Sequence, residues 1–241
     1  MKEFDLISRQ RISPKIWDYS YFHLKNNLQV FLIFRDMLKK EGKKTILDVG
    51  CGYKPWQGLL QEFEYLGIDL DPKFKPDIIG DAINIPLPND SVDGLIYSEV
   101  LEHVSNLGEV VKELKRVAKN NALVFISSPF IFPLHGIPHD YQRLTEFFYK
   151  EIFKKDEIIV LKKSNTSLVT PLLLIPLFLE PFLPHSYFFR IAKIILFSLF
   201  NSLALVLDKI ITILLTFIPL KLRDRFFTLP IGYALVVRIK K

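Results

Sequence analysis

The stretch Thr45–Trp56, TILDVGCGYKPW, decides the fold. An apolar run containing one acid, Asp48, ends in two glycines, Gly50 and Gly52, that lie one residue apart. A residue without a Cβ lets the backbone come close to a ligand, and a helix that opens after such a turn offers free N–H groups to it. The stretch therefore predicts a strand followed by a turn that cradles a cofactor.

The sequence on both sides alternates between short apolar runs and helical segments. Amphipathic spacing predicts helices over 21–39 and 107–118, and Thr145 is a plausible N-cap for a helix that follows it. Strands are predicted at 45–49, 65–68, 77–79, 94–97, 122–127, 158–161 and 233–239. This βαβα alternation indicates a mostly parallel sheet.

Two classes of cofactor use a glycine turn of this kind. A dinucleotide site has the pattern G-x-G-x-x-G, but Pro55 takes the third glycine position, and an acid stands directly before the first glycine where that pattern has none. The segment ILDVGCG (46–52) instead resembles the first motif of the class I, Rossmann-like methyltransferases that depend on S-adenosyl-L-methionine (SAM). The segments at 80–96 and 97–104 are similar to the type-11 branch of that class, and the resemblance covers roughly residues 40–150.

The resemblance also implies which residues bind SAM. It implies that the glycine turn lines the methionine and ribose part, that an acid after the second strand holds the ribose hydroxyls, and that a later acid lies near the adenine. A carboxylate suits the ribose because it has two acceptor oxygens for two hydroxyl donors. The implied residues are Asp48, Gly50, Gly52, Asp69, Leu70, Asp81, Ala82 and Ser98.

The segment after the fifth strand, 127–145, is the candidate acceptor loop, because two His, an Asp, a Tyr and an Arg fall within 135–143. His139 is the candidate general base, since a histidine titrates near neutral pH. Asp140 is expected to orient it or another donor, and Arg143 to hold a carboxylate or phosphate of the acceptor. A structural turn that leads into the helix after Thr145 is the alternative.

No metal site is expected from the sequence. Glu99, Glu102 and His103 have the spacing E-x-x-E-H, but a single histidine on such a segment is usually packed or hydrogen-bonded. Gly136 and Pro138 exclude a regular helix that would bring His135 and His139 together. The one cysteine, Cys51, offers neither an internal disulfide nor a zinc pair, so a reducing, cytoplasmic setting is expected.

Charge and hydrophobicity both concentrate in the C-terminal third. The net charge is +6, and residues 160–241 carry 11 Lys/Arg against 3 Asp/Glu. A region that is basic and apolar suggests an anionic membrane surface, here the inner face of the cell membrane. Neither a nucleic-acid motif nor a basic groove with interleaved aromatics is present, so no nucleic-acid partner is expected. The N-terminus does not resemble a signal peptide.

The stretch from Ser164 to Leu220 contains only five charged residues. Its uncharged runs, of 16, 14 and 11 residues, are shorter than the ~20 residues of a membrane span. On a helical wheel, residues 187–218 separate into a polar arc and an apolar arc, which predicts one or two helices lying in a membrane interface. The alternatives are that the apolar arc packs on the protein's own core or forms a homodimer.

These observations combine into one prediction. The expected fold is a three-layer α/β domain with a seven-stranded, mostly parallel sheet and an antiparallel last strand. The expected parts are an N-terminal helical cap (1–44) over the SAM pocket, the core (45–163), an apolar helical insertion (164–228) and the last strand (229–241). The expected activity is methyl transfer from SAM to a lipophilic or lipid-linked acceptor. A role in envelope polysaccharide or glycolipid synthesis is implied only by the resemblance of HGIPHDYQRLT (135–145) to a loop of type-11 methyltransferases in such pathways. A methyltransferase for a soluble small molecule and a non-catalytic SAM-binding protein at the membrane stay open.

Overall fold

A computed structural model describes residues 3–179, 182, 187–219, 222, 226 and 228–241. Parts of the predicted insertion (180–181, 183–186, 220–221, 223–225 and 227) lie outside the described residues. The strands are β1 (Thr45–Val49), β2 (Glu64–Asp69), β3 (Ile78–Ile79), β4 (Val92–Ser98), β5 (Ala118–Pro129), β6 (Glu157–Lys163) and β7 (Gly232–Arg238). The helices are α1 (Glu3–Ile12), α2 (Tyr21–Lys40), α3 (Leu107–Val117), α4 (Glu146–Ile152), α5 (Thr170–Leu179) and α6 (Tyr187–Leu215).

The seven strands form one sheet in the order β3-β2-β1-β4-β5-β7-β6. The pairs that join β3, β2, β1, β4 and β5 are parallel, whereas β7 runs antiparallel to both β5 and β6. The predicted fold class, with its antiparallel last strand, is therefore confirmed. The central strands read as nearly continuous apolar runs because both of their faces are buried.

Successive strand residues pack into two separate cores. Leu47, Leu95 and Val124 face the side where α3 and α4 pack, and their neighbours Ile46 and Ile96 face the side where α2 packs. This alternation follows from the two-residue period of a strand and produces the three layers. The helix predicted over 21–39 exists, but it packs against β5 and β7 rather than over the cofactor pocket.

The apolar insertion between β6 and β7 contains α5 and α6. Charged residues separate the uncharged runs of this region in the sequence, yet α6 continues through them as one helix of 29 residues. Among the described residues, this is the helix that is long and apolar enough to cross a membrane by length and composition, with a mean hydropathy of 2.0 over Arg190–Leu215. The sequence predicted that the apolar runs of this region are too short to span a membrane. That prediction was wrong about length, because α6 is long enough.

The side of α6 that carries Asn201 and Asp208 faces the protein, and the buried Phe197, Ala204 and Leu215 lie on that side too. Asn201, which is 1% exposed, donates to the backbone carbonyl oxygens of Ile16 at 2.7 Å and Asp18 at 3.0 Å. Asp208 accepts hydrogen bonds from the backbone N–H and the hydroxyl of Thr166. The opposite side is apolar and solvent-exposed, and its most exposed residues are Ile195, Leu199, Val206, Ile213 and Leu214.

Candidate active site

A cavity of about 480 Å³ opens at the carboxyl ends of β1 and β4. In open α/β sheets, ligands bind in the crevice outside these strand ends. The cavity is lined by Arg11, Asp48, Gly50, Cys51, Gly52, Tyr53, Pro55, Trp56, Lys73, Phe74, Ser98 and Glu99. Asp48, Gly50, Gly52 and Ser98, four of the residues that the sequence predicts as SAM ligands, are therefore brought together.

The turn after β1 requires glycine at its first position. Gly50 has a φ of +65°, and a Cβ placed there would lie 2.6 Å from Cγ2 of Val100. The backbone N–H of Gly52 donates to Oδ2 of Asp69 at 2.9 Å, and Oδ1 of Asp69 accepts from the N–H of Asp71 at 3.0 Å. These two bonds fix the Asp69 carboxylate beside the turn, at the end of β2.

Asp48 lies beneath the turn and is almost fully buried, at 2% exposure. The hydroxyl of Tyr65 donates to Oδ2 of Asp48 at 2.5 Å. Burial raises the pKa of Asp48 to about 7, and the hydrogen bond from Tyr65 and the positive charge of Arg11 only partly offset this effect. The floor of the cavity therefore holds an acid whose charge changes near neutral pH.

Glu99 forms a second buried acidic centre on the cavity wall. Its carboxylate contacts Nε2 of His23 at 3.0 Å and accepts from the amide of Asn27 at 3.1 Å and the hydroxyl of Ser127 at 2.7 Å. Burial by itself would raise the pKa of Glu99, but the contacts with His23, Arg11 and Ser127 lower it to about 2. Glu99 therefore stays ionised, and its φ of +58° is a backbone conformation that a glutamate rarely adopts.

The first helix contributes to the site. The sequence predicted an N-terminal cap over the SAM pocket, but neither α1 nor a role for Arg11. Arg11 on α1 lines the cavity and donates to Oγ of Ser98 at 2.5 Å. The rings of Tyr53 and Phe74 stand edge to face with their centroids 4.8 Å apart, and both line the cavity. The segment Glu3–Ile12 has no apolar stripe that would have revealed this helix, whereas the aromatic residues near the turn were a usable signal.

Four of the predicted cofactor residues lie outside the cavity lining: Asp69, which stands beside the glycine turn, and Leu70, Asp81 and Ala82. Leu70 is 64% exposed, and Ala82 packs at the edge of the core on the α3 side. Oδ1 of Asp81 accepts from the backbone N–H of Ile83 at 3.1 Å. The adenine contacts predicted for this segment therefore stay predictions.

The candidate acceptor residues lie on a neighbouring loop and do not line the cavity. Asp140 and Arg143 form a two-bond ion pair, at 2.5 Å and 2.8 Å, and Arg143 lowers the pKa of Asp140 well below its usual range. Asp140 also accepts from the backbone N–H of His135 at 2.9 Å. His139 is exposed, with Nδ1 3.0 Å from the hydroxyl of Tyr141.

Thr145, at the end of this loop, is the N-cap of helix α4. The hydroxyl of Thr145 accepts from the N–H of Phe148, so α4 begins as the sequence predicted. The ion pair and the cap together mean that much of the loop's polar content maintains its own shape.

The chain matches known proteins in both sequence and structure. Residues 47–126 match the model of a methyltransferase domain family, type 11. The uncharacterized protein MJ1252 of Methanocaldococcus jannaschii is 28% identical over 157 residues. That match covers 61% of this chain and 59% of the relative, so the chain spans about three fifths of the relative's length.

Two solved structures share the fold. A SAM dependent methyltransferase from Archaeoglobus fulgidus is similar over 98% of this chain and 100% of its own, with 15% identity and a TM-score of 0.51. The cyclase SpnF is similar over 88% of this chain and 83% of its own, with 16% identity and a TM-score of 0.53. Because one fold carries both kinds of protein, the fold alone does not specify the chemistry.

Proposed function

We propose that the whole protein is an enzyme that methylates a lipophilic or lipid-linked acceptor at an anionic membrane surface. Residues 47–126 match a type-11 methyltransferase domain of the SAM-dependent, Rossmann-like class. The acceptor would belong to envelope polysaccharide or glycolipid synthesis. SAM supplies a methyl group that is already activated on a sulfonium sulfur. The protein must therefore bind the cofactor, align the acceptor and exclude water.

The residues around the cavity suit this cofactor. Gly50 and Gly52 leave room for close backbone approach, and the Asp69 carboxylate lies beside the turn, where it would accept both hydroxyls of a ribose. The ionised Glu99 and the buried Asp48 provide negative charge next to a cationic sulfonium. The edge-to-face pair of Tyr53 and Phe74 offers an apolar wall on the same cavity.

For the acceptor, we place the reactive group along the loop 127–145. His139 is the proposed base, because it is exposed and has a neighbouring hydroxyl on Tyr141 that would orient its ring. The ion pair between Asp140 and Arg143 would position the loop, because each side chain already has its charge paired with the other. The acceptor atom loses its proton, bonds to the methyl carbon as the carbon–sulfur bond breaks, and S-adenosylhomocysteine is released.

The observation that carries the membrane part of the proposal is the orientation of α6. An amphipathic helix on a soluble domain normally buries its apolar side. Helix α6 attaches to the domain through the polar contacts of Asn201 and Asp208 and a small apolar cluster around Ala204, yet it leaves Leu199, Val206 and Leu214 exposed. Both attachments lie well inside the helix. A spanning orientation would draw their partners, Ile16, Asp18 and Thr166, into the hydrocarbon, so the helix is better suited to lie in the interface.

The test is co-sedimentation of the protein with vesicles that contain anionic or only neutral lipids. The wild type should bind anionic vesicles, and the double variant Leu199→Glu/Leu203→Glu should lose this binding. Lys112→Glu on the exposed side of α3 is the matched control, because it also lowers the net charge by two but leaves α6 unchanged. It should bind nearly as the wild type does.

Light scattering on the same samples distinguishes a membrane surface from a dimer interface. We expect the wild type to be monomeric in solution. A wild type that remains in the supernatant with all vesicles, and a dimer that the double variant dissociates, would contradict the membrane proposal and favour a soluble acceptor.

A further inference from the structure

Outside the cavity, three side chains with metal-binding atoms converge between the end of β4 and the loop 127–145. Glu102 lies in a short 3₁₀ helix with His103, and His135 approaches from the loop. One ligand atom from each of the three lies within 4.8 Å of the others. We propose that Glu102, His103 and His135 form a binding site for a divalent metal ion, with Zn²⁺ as the best match.

Glu102 is the feature that requires a partner. Its side chain is fully buried, at 0% exposure, and neither carboxylate oxygen has a hydrogen-bond partner. A buried carboxylate without partners is costly for a fold to maintain. A bound cation would remove that cost.

The two histidines present lone pairs to this carboxylate. Nδ1 of His103 lies 2.6 Å from the backbone carbonyl oxygen of His139, and Nδ1 of His135 lies 3.2 Å from that of Pro133. A carbonyl oxygen only accepts, so each Nδ1 must carry a proton, and in the neutral form of either ring the lone pair lies on Nε2. Histidines that ligate metals usually donate their other N–H to a carbonyl or carboxylate in this way.

The distances suit a metal better than a hydrogen bond. Nε2 of His103 is 3.9 Å and Nε2 of His135 is 3.8 Å from Oε1 of Glu102, which is too long for a hydrogen bond. Ligand atoms around a tetrahedral zinc with bonds of about 2.0–2.1 Å are about 3.3 Å apart. A shift of about half an ångström would bring each glutamate–histidine contact to this spacing, and the two imidazoles, whose ligand atoms lie within 4.8 Å of each other, would have to move closer together as well.

The loop 127–145 holds the two histidines in place. His135 also has Nδ1 3.4 Å from Oδ2 of Asp140, and that carboxylate is neutralised by Arg143. The backbone at Gly136, with a φ of +62°, passes so close to the His103 ring that a Cβ would lie 2.8 Å from Cε1. The loop is thus shaped around the ring that it positions.

The set of two histidines and one glutamate is typical of catalytic zinc sites, which keep a fourth position open. The imidazoles of His103 and His135 are 28% and 33% exposed, so one side of the cluster is open to solvent. If the proposed function holds, this position would take a hydroxyl oxygen of the acceptor. A metal lowers the pKa of a bound hydroxyl, so the reaction would be an O-methylation.

The test measures Zn²⁺ binding to protein without an affinity tag, after treatment with a chelator. Calorimetric titration of the wild type should give one Zn²⁺ per chain. Glu102→Gln and His135→Ala should each weaken binding by at least about tenfold. His139→Ala is the matched control, because it removes an imidazole from the same loop and leaves the backbone carbonyl that positions His103. It should bind Zn²⁺ as the wild type does.

Titration with SAM on the same variants separates this inference from the proposed function. Normal SAM binding by Glu102→Gln would show that the variant is folded. The absence of stoichiometric Zn²⁺ in the wild type, or equal Zn²⁺ binding by wild type and Glu102→Gln, would overturn the metal site whatever SAM does. An equal loss in His139→Ala would overturn it too, because binding would then not depend on the cluster.

Discussion

At the scale of single residues, the three acids at the cavity differ in their hydrogen-bond partners and in their burial. Asp69 accepts two backbone N–H groups at the glycine turn, Asp48 is buried against Tyr65, and Glu99 is surrounded by donors. Each therefore supports its own prediction.

Replacing Asp69 with Asn should weaken SAM binding by about 10- to 100-fold, because the variant loses charge-assisted hydrogen bonds to the ribose hydroxyls. Calorimetric titration with SAM measures the change. Asp36→Asn is the control, since it makes the same chemical change on the exposed side of α2, where Asp36 pairs with Arg35. Equal affinities of Asp69→Asn and the wild type would mean that this carboxylate does not hold the cofactor.

Asp48 should make the stability of the SAM-free protein depend on pH. Its pKa in the folded protein is raised from 3.8 to about 7, so the folded state is favoured while Asp48 is protonated. That contribution is complete below about pH 4 and is lost as the pH rises to about 7. Asp48→Asn should thus match the wild type near pH 4 and be more stable by roughly 1–4 kcal/mol at pH 8.

Urea denaturation at both pH values measures this difference, and Asp36→Asn again serves as the control. A wild type whose advantage over Asp48→Asn grows with pH would contradict the raised pKa.

The sequence predicted the residues of this site unevenly. Asp48, Gly50, Gly52 and Ser98 were identifiable because the resemblance to methyltransferases rests on short continuous segments, 46–52 and 97–104, that contain them. Arg11 was not, because it reaches Ser98 across 87 positions of the chain. The cluster around Glu102 was missed for the same reason, since His135 approaches from a loop 33 residues further on.

At the scale of the element, α6 depends on two polar contacts. Asn201→Leu would leave the carbonyl oxygens of Ile16 and Asp18 without their donor in a buried place. We expect it to lower the free energy of unfolding by about 1–3 kcal/mol. Urea denaturation measures the loss, and Ser202→Ala at the exposed next position should change it by less than about 0.5 kcal/mol. Equal losses in both variants would contradict a specific role for Asn201.

The sequence predicted the two faces of this helix but not which of them faces the protein. A helical wheel shows only how residues are grouped around an axis. The usual expectation is that the apolar side is buried, and here the hydrogen bonds of Asn201 and Asp208 place the polar side inward. Helix α1 escaped prediction for a different reason, since tertiary contacts such as the ion pair between Arg9 and Asp18 define it rather than an apolar stripe.

At the scale of the whole molecule, the exposed helix and the cavity are connected through the N-terminal segment. Asn201 holds the backbone of Asp18, the Asp18 carboxylate pairs with Arg9 at 2.7 Å, and α1 carries Arg11 into the cavity. The surface proposed to bind the membrane is therefore linked, through Asp18, to helix α1, which contributes Arg11 to the cofactor cavity. The seven-stranded sheet beneath them was predictable because its central strands are compact apolar runs between turn residues.

The central claim is that this protein methylates a lipophilic acceptor, and the most direct measurement is methyl transfer from SAM labelled on its methyl group to a membrane lipid extract. We predict that the wild type moves label into the organic phase with an equal amount of S-adenosylhomocysteine, and that Asp69→Asn does so far more slowly. Label that appears only in water-soluble products, or no transfer by a wild type that binds SAM, would contradict the claim.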